Sequence, residues 1–342
     1  MVNSQRKLRV LFVHSAMAKF VRNDLKLLQK HFNFRSLDVT LFLIPRRGKY
    51  LLAYLRLLKG VLWADVVYAW WANLNTVFMV LLCRFLRKKS VVVVGGYEVA
   101  YVPEINYGTL LSPIGRLEVK FILRHANKIL AVSESNKKEI LRFAKPKALK
   151  VVYNGIDIQK FKPSDAKENL VITVGGISHE TIKKKRFDVF VDASKYLTTG
   201  QSVLIGKFLD DSIRQLERNA SSNVKFTGYI PEEALLQYYQ KAKVYCQLST
   251  QESFGVALAE AMSCGCVPVV TRKYSLPEIV GDTGFYVPYN DPEATADAIR
   301  QALASDKGLK ARARIEKYFS SKAREKKLIR EISDLIEQKN SV

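Results

Sequence analysis

Short apolar runs alternate with segments of helical spacing along nearly the whole chain. Residues 8–16 read LRVLFVHSA, a branched apolar run that ends in small residues. The segment that follows carries apolar residues at the spacing of one helix face, namely Val21, Leu25, Leu28 and Phe32. The same strand-then-helix order recurs in both halves. Because this alternation is typical of a parallel sheet covered on both faces by helices, the sequence predicts an α/β fold.

The alternation is interrupted once, at 154–164, where NGIDIQKFKPS is rich in turn-forming and polar residues. A second alternation begins with LVITVGG at 170–176. We therefore predict two Rossmann-like, doubly wound domains, 1–162 and 163–320, whose strand ends face a common cleft. A charged helix with an apolar stripe follows, and we expect 321–342 to pack back on the first domain. With 342 residues, of which 48% are hydrophobic, the chain is long enough for two cores.

Positive charge is concentrated in the first half of the chain. The net charge is +23, and residues 1–162 hold 29 Lys and Arg against 9 Asp and Glu, a net of +20. Such a field attracts polyanions, whether nucleic acid, an anionic membrane surface or a phosphorylated substrate, and does not choose among them. The longest apolar stretch, 74–86, is too short for a spanning helix, which needs about 20 apolar residues.

The cysteines predict buried thiols. All four lie in or beside apolar runs, without a spacing suited to zinc and without a secretory signal ahead of them: Cys83, Cys246, Cys264 and Cys266. We expect a reducing, cytoplasmic setting and no metal site.

Two carboxylates eight residues apart mark the most informative segment, ESFGVALAEAM. Glu252 follows an apolar strand, and Glu260 lies two turns along the helix that comes next. The backbone N–H groups of Phe254, Gly255 and Val256 would stand at that helix N-terminus, where a diphosphate binds well. An acid in the loop can accept hydrogen bonds from sugar hydroxyls, and one further along can bind a ribose. The alternative is an ordinary amphipathic helix with an N-terminal acid.

This segment resembles the E-x7-E motif of glycosyltransferase family 4, whose members are retaining enzymes with the GT-B fold. YNGIDIQKFKP at 153–163 is similar to the interdomain motif of that family, and SLPEIVGDTGFYVP at 275–288 to its P-E-I-V region. VITVGG followed by KKKRFDVF resembles its first C-terminal strand, basic loop and helix. Since several spaced motifs occur in the right order over roughly 125–305, the chain is identified as a member.

The resemblance implies transfer of a hexose from a UDP- or GDP-linked sugar with retention of anomeric configuration, without a metal or other cofactor. Glu252 would contact the donor sugar near its anomeric carbon. Lys185 would neutralise the diphosphate leaving group, which carries the charge that develops in the transition state. Glu260 would bind the ribose, while backbone groups of the Phe254 to Val256 segment hold the sugar and diphosphate.

Four further residues complete the predicted donor site. Gly175 and Gly176 end the VITVGG strand, and Lys184 and Arg186 flank Lys185. The sequence departs from the family pattern at Gly176, where an Arg is common, so one phosphate cation is either missing or supplied by Lys184 or Arg186. It also replaces the Gly-rich loop after the first strand by SAMAKF.

On the acceptor side, three residues are candidates. Glu98 stands where the family often has an acid, with Gly96 beside it, and a solvated loop acid is the alternative interpretation. His14 ends the first strand, where a structural histidine is the alternative. Gly95 occupies the position at which the family often has His, so the sequence offers no histidine there.

Two basic rows and one apolar helix suggest a membrane partner. Each row repeats at a spacing of four residues on a predicted helix: Arg22, Lys26, Lys30 and Arg116, Lys120, Arg124. The apolar helix, 46–63, is flanked by Arg46, Arg47 and Lys49, and we favour a core helix over an interfacial one. We expect a lipid-linked acceptor, a membrane lipid or a glycan, and a peripheral protein on the cytoplasmic leaflet of an anionic membrane.

Two other functions stay open. A sugar-nucleotide epimerase of the same architecture would change its donor and use no acceptor. A basic nucleic-acid- or membrane-binding protein on a degenerate transferase scaffold would explain the charge. Against nucleic acid, the chain has no recognisable binding module, and the acid pair with its phosphate loop is intact.

Overall fold

The structure is a computed structural model that describes residues 7–40, 49–164 and 167–337. Its contacts divide the chain into two compact units, Met1–Gly155 with Lys322–Val342, and Ile156–Ser321. Arg46 and Arg47, predicted to flank an apolar helix, lie outside the described residues.

The first unit is built on a parallel sheet of order β2-β1-β3-β4-β5-β6. Most of its strands are buried along their length, as expected of a sheet covered on both faces. The strands are β1 Arg9–His14, β2 Asn33–Asp38, β3 Val66–Trp70, β4 Lys89–Val94, β5 Lys128–Ala131 and β6 Leu149–Val151.

The second unit has a parallel sheet of order β12-β11-β10-β7-β8-β9. Its strands are β7 Glu168–Val174, β8 Gln201–Ile205, β9 Val224–Phe226, β10 Ala242–Gln247, β11 Val267–Thr271 and β12 Phe285–Val287. Two parallel six-stranded sheets in the described residues confirm the predicted α/β class.

Helices connect the strands in both units. Those of the first unit are α1 Lys19–His31, α2 Lys49–Trp63, α3 Leu74–Phe85, α4 Pro113–His125 and α5 Glu134–Phe143, with short 3₁₀ turns at Tyr97–Val99, Pro103–Ile105 and Thr109–Leu111. Those of the second are α6 His179–Lys185, α7 Phe187–Ser194, α8 Ile213–Asn219, α9 Glu232–Lys241, α10 Val256–Ser263, α11 Leu276–Val280, α12 Pro292–Ala304 and α13 Gly308–Tyr318, and the last helix is α14 Ser321–Glu337. None of the described helices combines the length and the apolarity that crossing a bilayer requires.

Each sheet has one point at which the strand order reverses. In the first unit this point lies between β1 and β3, and in the second between β7 and β10. Because neighbouring connections leave in opposite directions there, the strand ends open a crevice in which open α/β sheets bind ligands. The residues that follow β7 and β10 therefore lie where this kind of fold binds ligands.

The change between the units falls at Ile156, earlier than the boundary predicted from the turn-rich segment. The N–H of Ile156 donates to the carbonyl of Phe319, and the N–H of Ser321 donates to the carbonyl of Ile156, both at 2.8 Å. These bonds fix Ile156 to the end of the second unit. The helix predicted over 321–342 begins where α14 begins, at Ser321, and α13 ends just before it with Phe319 as its C-cap.

Helix α14 packs on the first unit through a buried ion pair. The Arg324 guanidinium donates to the carboxylate of Asp24 on α1, with 2.7 Å between Nη2 and Oδ2, and both side chains are almost fully buried. The same carboxylate accepts from the Tyr68 hydroxyl at 2.6 Å and from the Trp70 indole at 2.8 Å. A second buried pair joins Lys128 of β5 to Glu331 at 2.8 Å.

Candidate active site

The candidate site of the second unit lies at its strand-order reversal. Strand β7 ends at Val174 and is followed by Gly175 and Gly176, and strand β10 ends at Gln247. The loop after β10 carries Glu252, and helix α10 begins at Val256 as predicted. Both connections leave the carboxyl edge of the sheet, the edge that binds ligands in this kind of fold.

Glu252 and Lys185 meet at this edge. Lys185 is the last residue of α6, and its Nζ lies 3.7 Å from Glu252 Oε2, with about a fifth of each side chain exposed. A carboxylate and an ammonium are therefore held together while both keep some access to solvent. The sequence predicted the two residues as partners of one ligand, and the structure brings them together.

A chain of hydrogen bonds from buried residues of β10 orients the Glu252 carboxylate. Gln247 Nε2 donates to Glu252 Oε2 at 3.0 Å and to Ser249 Oγ at 2.6 Å. The Tyr245 hydroxyl in turn donates to Gln247 Oε1 at 3.1 Å. These polar residues alternate along β10 and its extension, so they share one face of the sheet. Sequence analysis missed them, although two polar residues at i and i+2 in an apolar strand are a readable signal.

The loop that holds Glu252 is fixed at both ends by backbone acceptors. Thr250 donates from its N–H at 2.8 Å and from its hydroxyl at 3.1 Å to the carbonyl of Lys184. Ser275 Oγ donates to the carbonyl of Glu252 at 2.8 Å. The basic end of α6 and the acidic loop are therefore tied together directly.

Lys184 is the most perturbed cation of this region. Burial lowers the pKa of its ammonium to about 8, and the charge of Glu252 acts in the opposite direction. A buried lysine with a lowered pKa in a crevice is typical of functional sites. An anion bound beside it would favour the charged form and raise this pKa again.

The two glycines after β7 have different neighbours. A Cβ on Gly175 would lie 2.8 Å from Lys185 Cδ and 2.9 Å from its Cε, so this glycine makes room for the Lys185 stem. A Cβ on Gly176 would instead meet Leu209 Cδ1 at 3.0 Å. The carbonyl of Gly176 also accepts from the Thr181 hydroxyl at 2.7 Å. Gly175 therefore shapes the cation's position, and Gly176 anchors α6.

The N-terminus of α10 has the form of an anion site. Gly255 adopts a φ of +89° and precedes the helix without any side-chain cap. The first N–H groups of a helix lack partners within the helix and carry its positive dipole end. Phe254 is buried, with its ring 5.7 Å from that of Phe319, so its side chain anchors the turn. Val256 is half-buried at the first position.

Glu260 lies further along α10 and is 5% exposed. Its charge raises the pKa of Tyr239 and of Tyr245, in each case after the larger effect of burial. The acid is therefore close to these two buried tyrosines, and it lies on the same helix as the anion-type N-terminus.

The Arg186 guanidinium binds residues other than Glu252. Its guanidinium forms a two-pronged pair with Asp188, at 3.0 and 2.7 Å, and donates to the Tyr289 hydroxyl at 2.8 Å and to Asn290. Its backbone is left-handed, with φ of +55°, between α6 and α7. Of the two candidates for a second phosphate cation, Lys184 thus has the closer relation to Glu252.

The three acceptor-side candidates surround the carboxyl edge of the first sheet. His14 ends β1 and is 6% exposed; burial lowers its pKa, and the Asp38 charge opposes this. The Glu98 carboxylate is buried and accepts from the N–H groups of Gly95 at 3.1 Å, Gly96 at 2.9 Å and Ala72 at 3.3 Å. Glu98 thus closes the loop after β4, which favours a structural role over the solvated loop acid.

One group of side chains in the described residues has the spacing of metal ligands. His179, Asp210 and Asp211 are all exposed. Asp210 accepts from the His179 N–H at 3.1 Å and from the Ser212 N–H at 2.9 Å. Hydrogen bonds within these loops therefore account for the arrangement.

Similarity to known proteins identifies the fold and the family of this chain. The structure superposes on Anabaena HepE, solved with UDP and glucose, with a TM-score of 0.76 at 18% identity, over 96% of this chain and all of that one. That likeness establishes the GT-B fold. The family model described as Glycosyltransferase Family 4 matches residues 8–160, and that described as Glycosyl transferases group 1 matches residues 156–322. The chain belongs to the family-4 glycosyltransferases, as its motifs predicted.

Relatives are matched over part of their length. O-antigen chain mannosyltransferase B of Escherichia coli is 39% identical over 99 residues, which make up 28% of this chain and 26% of that protein. GDP-mannose:cellobiosyl-diphosphopolyprenol alpha-mannosyltransferase of Xanthomonas oryzae pv. oryzae is 26% identical over 186 residues, 52% of this chain and 49% of that protein. The chain thus spans a quarter to a half of these two relatives.

Proposed function

We propose that the protein is a retaining glycosyltransferase that moves a hexose from a UDP- or GDP-linked sugar to a lipid-linked acceptor, a membrane lipid or a glycan. The observation that carries this proposal is the Lys185 and Glu252 pair, 3.7 Å apart, beside the uncapped start of α10. Together, a cation, an acid and a helix N-terminus suit a ligand that carries both a sugar and a diphosphate better than a sugar or a phosphate alone.

Each group has a role in donor binding. The N–H groups from Phe254 to Val256 hold the diphosphate at the helix N-terminus. Lys185, with Lys184, neutralises the charge that develops on the leaving phosphate and takes the part that a metal ion takes in other transferases. Glu260 binds the ribose hydroxyls, and Glu252 accepts hydrogen bonds from the donor sugar.

The reaction is a displacement on one face of the sugar. The bond from the anomeric carbon to the phosphate oxygen breaks, the nucleoside diphosphate leaves with the electron pair, and the acceptor oxygen bonds to the same face. The leaving phosphate oxygen takes the acceptor proton, so no separate base is required. A double displacement would need Glu252 as nucleophile, and a glycosyl-enzyme trapped on Glu252 would overturn the single-step route.

The donor and acceptor that we propose are suggested by the substrates named for similar proteins. HepE was solved with UDP and glucose, and the Xanthomonas enzyme is described as using GDP-mannose and a diphosphopolyprenol acceptor. The strongly basic first half of this chain, with net charge +20, suits an acceptor held at an anionic membrane. We therefore propose a peripheral enzyme of the cytoplasmic leaflet.

A donor screen followed by a transfer assay tests the function. Thermal shift against UDP- and GDP-sugars identifies the donor, which is then incubated with a lipid extract with and without EDTA. We expect the mass of an acceptor to rise by one hexose, and EDTA to have no effect on this transfer. Glu260→Gln and Lys185→Ala should both strongly reduce the transfer rate. Glu217→Gln, at an exposed position of α8, is the matched control.

Three results would contradict the proposal. A donor isomerised without any acceptor gain would identify an epimerase. No donor binding, together with tight salt-dependent binding of RNA, would identify a nucleic-acid protein. Loss of activity with EDTA that added metal restores would show that the lysines do not replace a metal.

A further inference from the structure

The solvent side of helix α3 is apolar. Its inner side chains, including Met79, Val80 and Cys83, are buried in the core of the first unit. The opposite side presents a stripe with helical spacing of four, three and four residues: Leu74, Phe78, Leu81 and Phe85, which are 42%, 37%, 45% and 85% exposed. Single exposed leucines are common on proteins, but a whole solvent-facing stripe of large apolar residues is not.

The helices on both sides of α3 extend this stripe. On α2, the Tyr54 ring packs edge-on against Phe78 at 5.0 Å between centroids. We define the apolar helix face as the exposed large apolar side chains of these three helices: Leu52, Leu55 and Leu62 of α2, the four residues of α3, and Ile114 and Leu117 of α4. It forms a surface of adjacent helices, because α3 packs against both α2 and α4.

Basic side chains border this face. A groove of about 470 Å³ between α3 and α4 is lined by apolar Val77, Leu117 and Phe121 together with Lys120, Arg124, His125 and Glu118. Lys120 and Arg124 are exposed there, and exposed Arg84 lies on α3 next to Phe85. On α2, exposed Arg56 and Lys59 lie among the apolar residues. Cations at the edge of an exposed apolar surface match the headgroup and acyl layers of a bilayer.

We infer that the apolar helix face docks the protein on an anionic bilayer, with Phe78 and Phe85 entering the acyl boundary and Lys120 and Arg124 pairing with lipid phosphates. A second copy of the chain is the less suitable occupant, because it would bring two molecules of net charge +23 together through their basic halves. In this arrangement the protein lies on the bilayer and does not cross it, which agrees with the absence of a sufficiently long apolar helix among the described residues.

Helix α2 contributes both to the core and to the apolar helix face. It buries Leu57 and Val61, as the sequence predicts for a core helix, and it also exposes Leu52, Leu55 and Leu62. The link to a membrane acceptor rests on the proposed function. Binding to a bilayer does not, since it uses neither the donor site nor any sugar nucleotide.

Vesicle flotation with the full chain tests the docking surface. The probe is vesicles of phosphatidylcholine with about one third phosphatidylglycerol, compared with pure phosphatidylcholine at low salt. We expect the protein to bind only the anionic vesicles. Lys120→Gln and Arg124→Gln should each weaken this binding about fivefold, because each removes one positive charge near the lipid surface. Phe78→Ser with Phe85→Ser should weaken binding at least tenfold, because both rings lose their apolar contact.

Matched variants separate this surface from general charge and general hydrophobicity. Arg22→Gln with Lys26→Gln removes two exposed cations from α1, and Leu309→Ser removes a 74% exposed apolar side chain from α13. Both should bind vesicles like the parent chain. Retained thermal unfolding temperature and retained UDP or GDP binding show that a weakened variant is folded and that its donor site is intact.

Several outcomes would overturn the inference. These are equal binding to neutral and anionic vesicles, unchanged binding of the Phe78→Ser, Phe85→Ser variant, or loss of binding in the α1 variant instead. A concentration-dependent dimer in sedimentation that the same phenylalanine changes abolish would assign the face to a second copy. Vesicle binding without any transfer activity would leave the docking surface standing and refute the proposed function alone.

Discussion

Gln247 Nε2 donates a hydrogen bond to Glu252 Oε2 over 3.0 Å, and Lys185 Nζ approaches the same oxygen at 3.7 Å. One oxygen of the acid thus has an amide donor within the unit and an ammonium toward the crevice. Since Tyr245 fixes the far end of the Gln247 amide, the carboxylate is oriented before any ligand arrives. Such orientation lowers the cost of ordering the site when a donor sugar binds.

Removing this donor should slow the reaction more than it weakens binding. Hydrogen bonds to charged groups contribute roughly 1.5–3 kcal/mol, so we expect Gln247→Met to lower kcat by about 10- to 100-fold with little change in the Kd for nucleoside diphosphate. Tyr245→Phe, which removes only the outer bond, should have a smaller effect of the same kind. Steady-state kinetics and calorimetry measure the two quantities, and a parallel loss of nucleotide affinity would argue against orientation.

A methyl group on Gly175 should displace the Lys185 ammonium. The added Cβ would lie 2.8 Å from Lys185 Cδ, which must move because it is the flexible partner. We expect Gly175→Ala to reduce turnover by about tenfold, and to add little to the effect of Lys185→Ala in the double variant. The comparison is Gly176→Ala, whose Cβ would face Leu209 and not Lys185, so its loss should add to that of Lys185→Ala. Additive losses for Gly175→Ala in a kinetic double-mutant cycle would contradict the coupling.

Donor binding should weaken as the pH rises through about 8. Burial lowers the pKa of Lys184 to about 8, so its charge is present below that pH and is lost above it. Attraction for a diphosphate falls accordingly, by up to about tenfold per pH unit. Calorimetric titration with UDP or GDP between pH 7 and 9 measures the profile. Lys184→Arg should flatten it, because arginine stays charged; the same decline in that variant would refute the assignment.

Breaking the Asp24 and Arg324 pair should destabilise the first unit. Leaving one buried charge without its partner costs about 3–5 kcal/mol, so Arg324→Met should lower the free energy of unfolding by about that amount. Lys326→Met, on the exposed side of α14, should have no measurable effect. The tryptophans, Trp63, Trp70 and Trp71, all lie in the first unit, so their fluorescence in urea reports on it. An equal midpoint for both variants would contradict the prediction.

Local sequence patterns were sufficient to predict the α/β architecture and the acidic loop. Strand β7 and the loop before α10 could be found because short apolar runs, a glycine and an acid at a helix start act over a few residues. Helix α3 could not be oriented in the same way. It is apolar on most sides, so its sequence does not tell which stripe, Met79 and Cys83 or Phe78 and Phe85, faces the core.

The sequence by itself determined the alternation of strands and helices, the family, and the residues of the acid pair, because those depend on spacing along the chain. Only the tertiary structure decided which distant groups meet. Arg324 reaches Asp24, Lys185 approaches Glu252, and Arg186 donates to Tyr289 because packing of whole elements brings these side chains together. Burial then sets their energies, since a charge or amide taken from water must find its partner inside the fold.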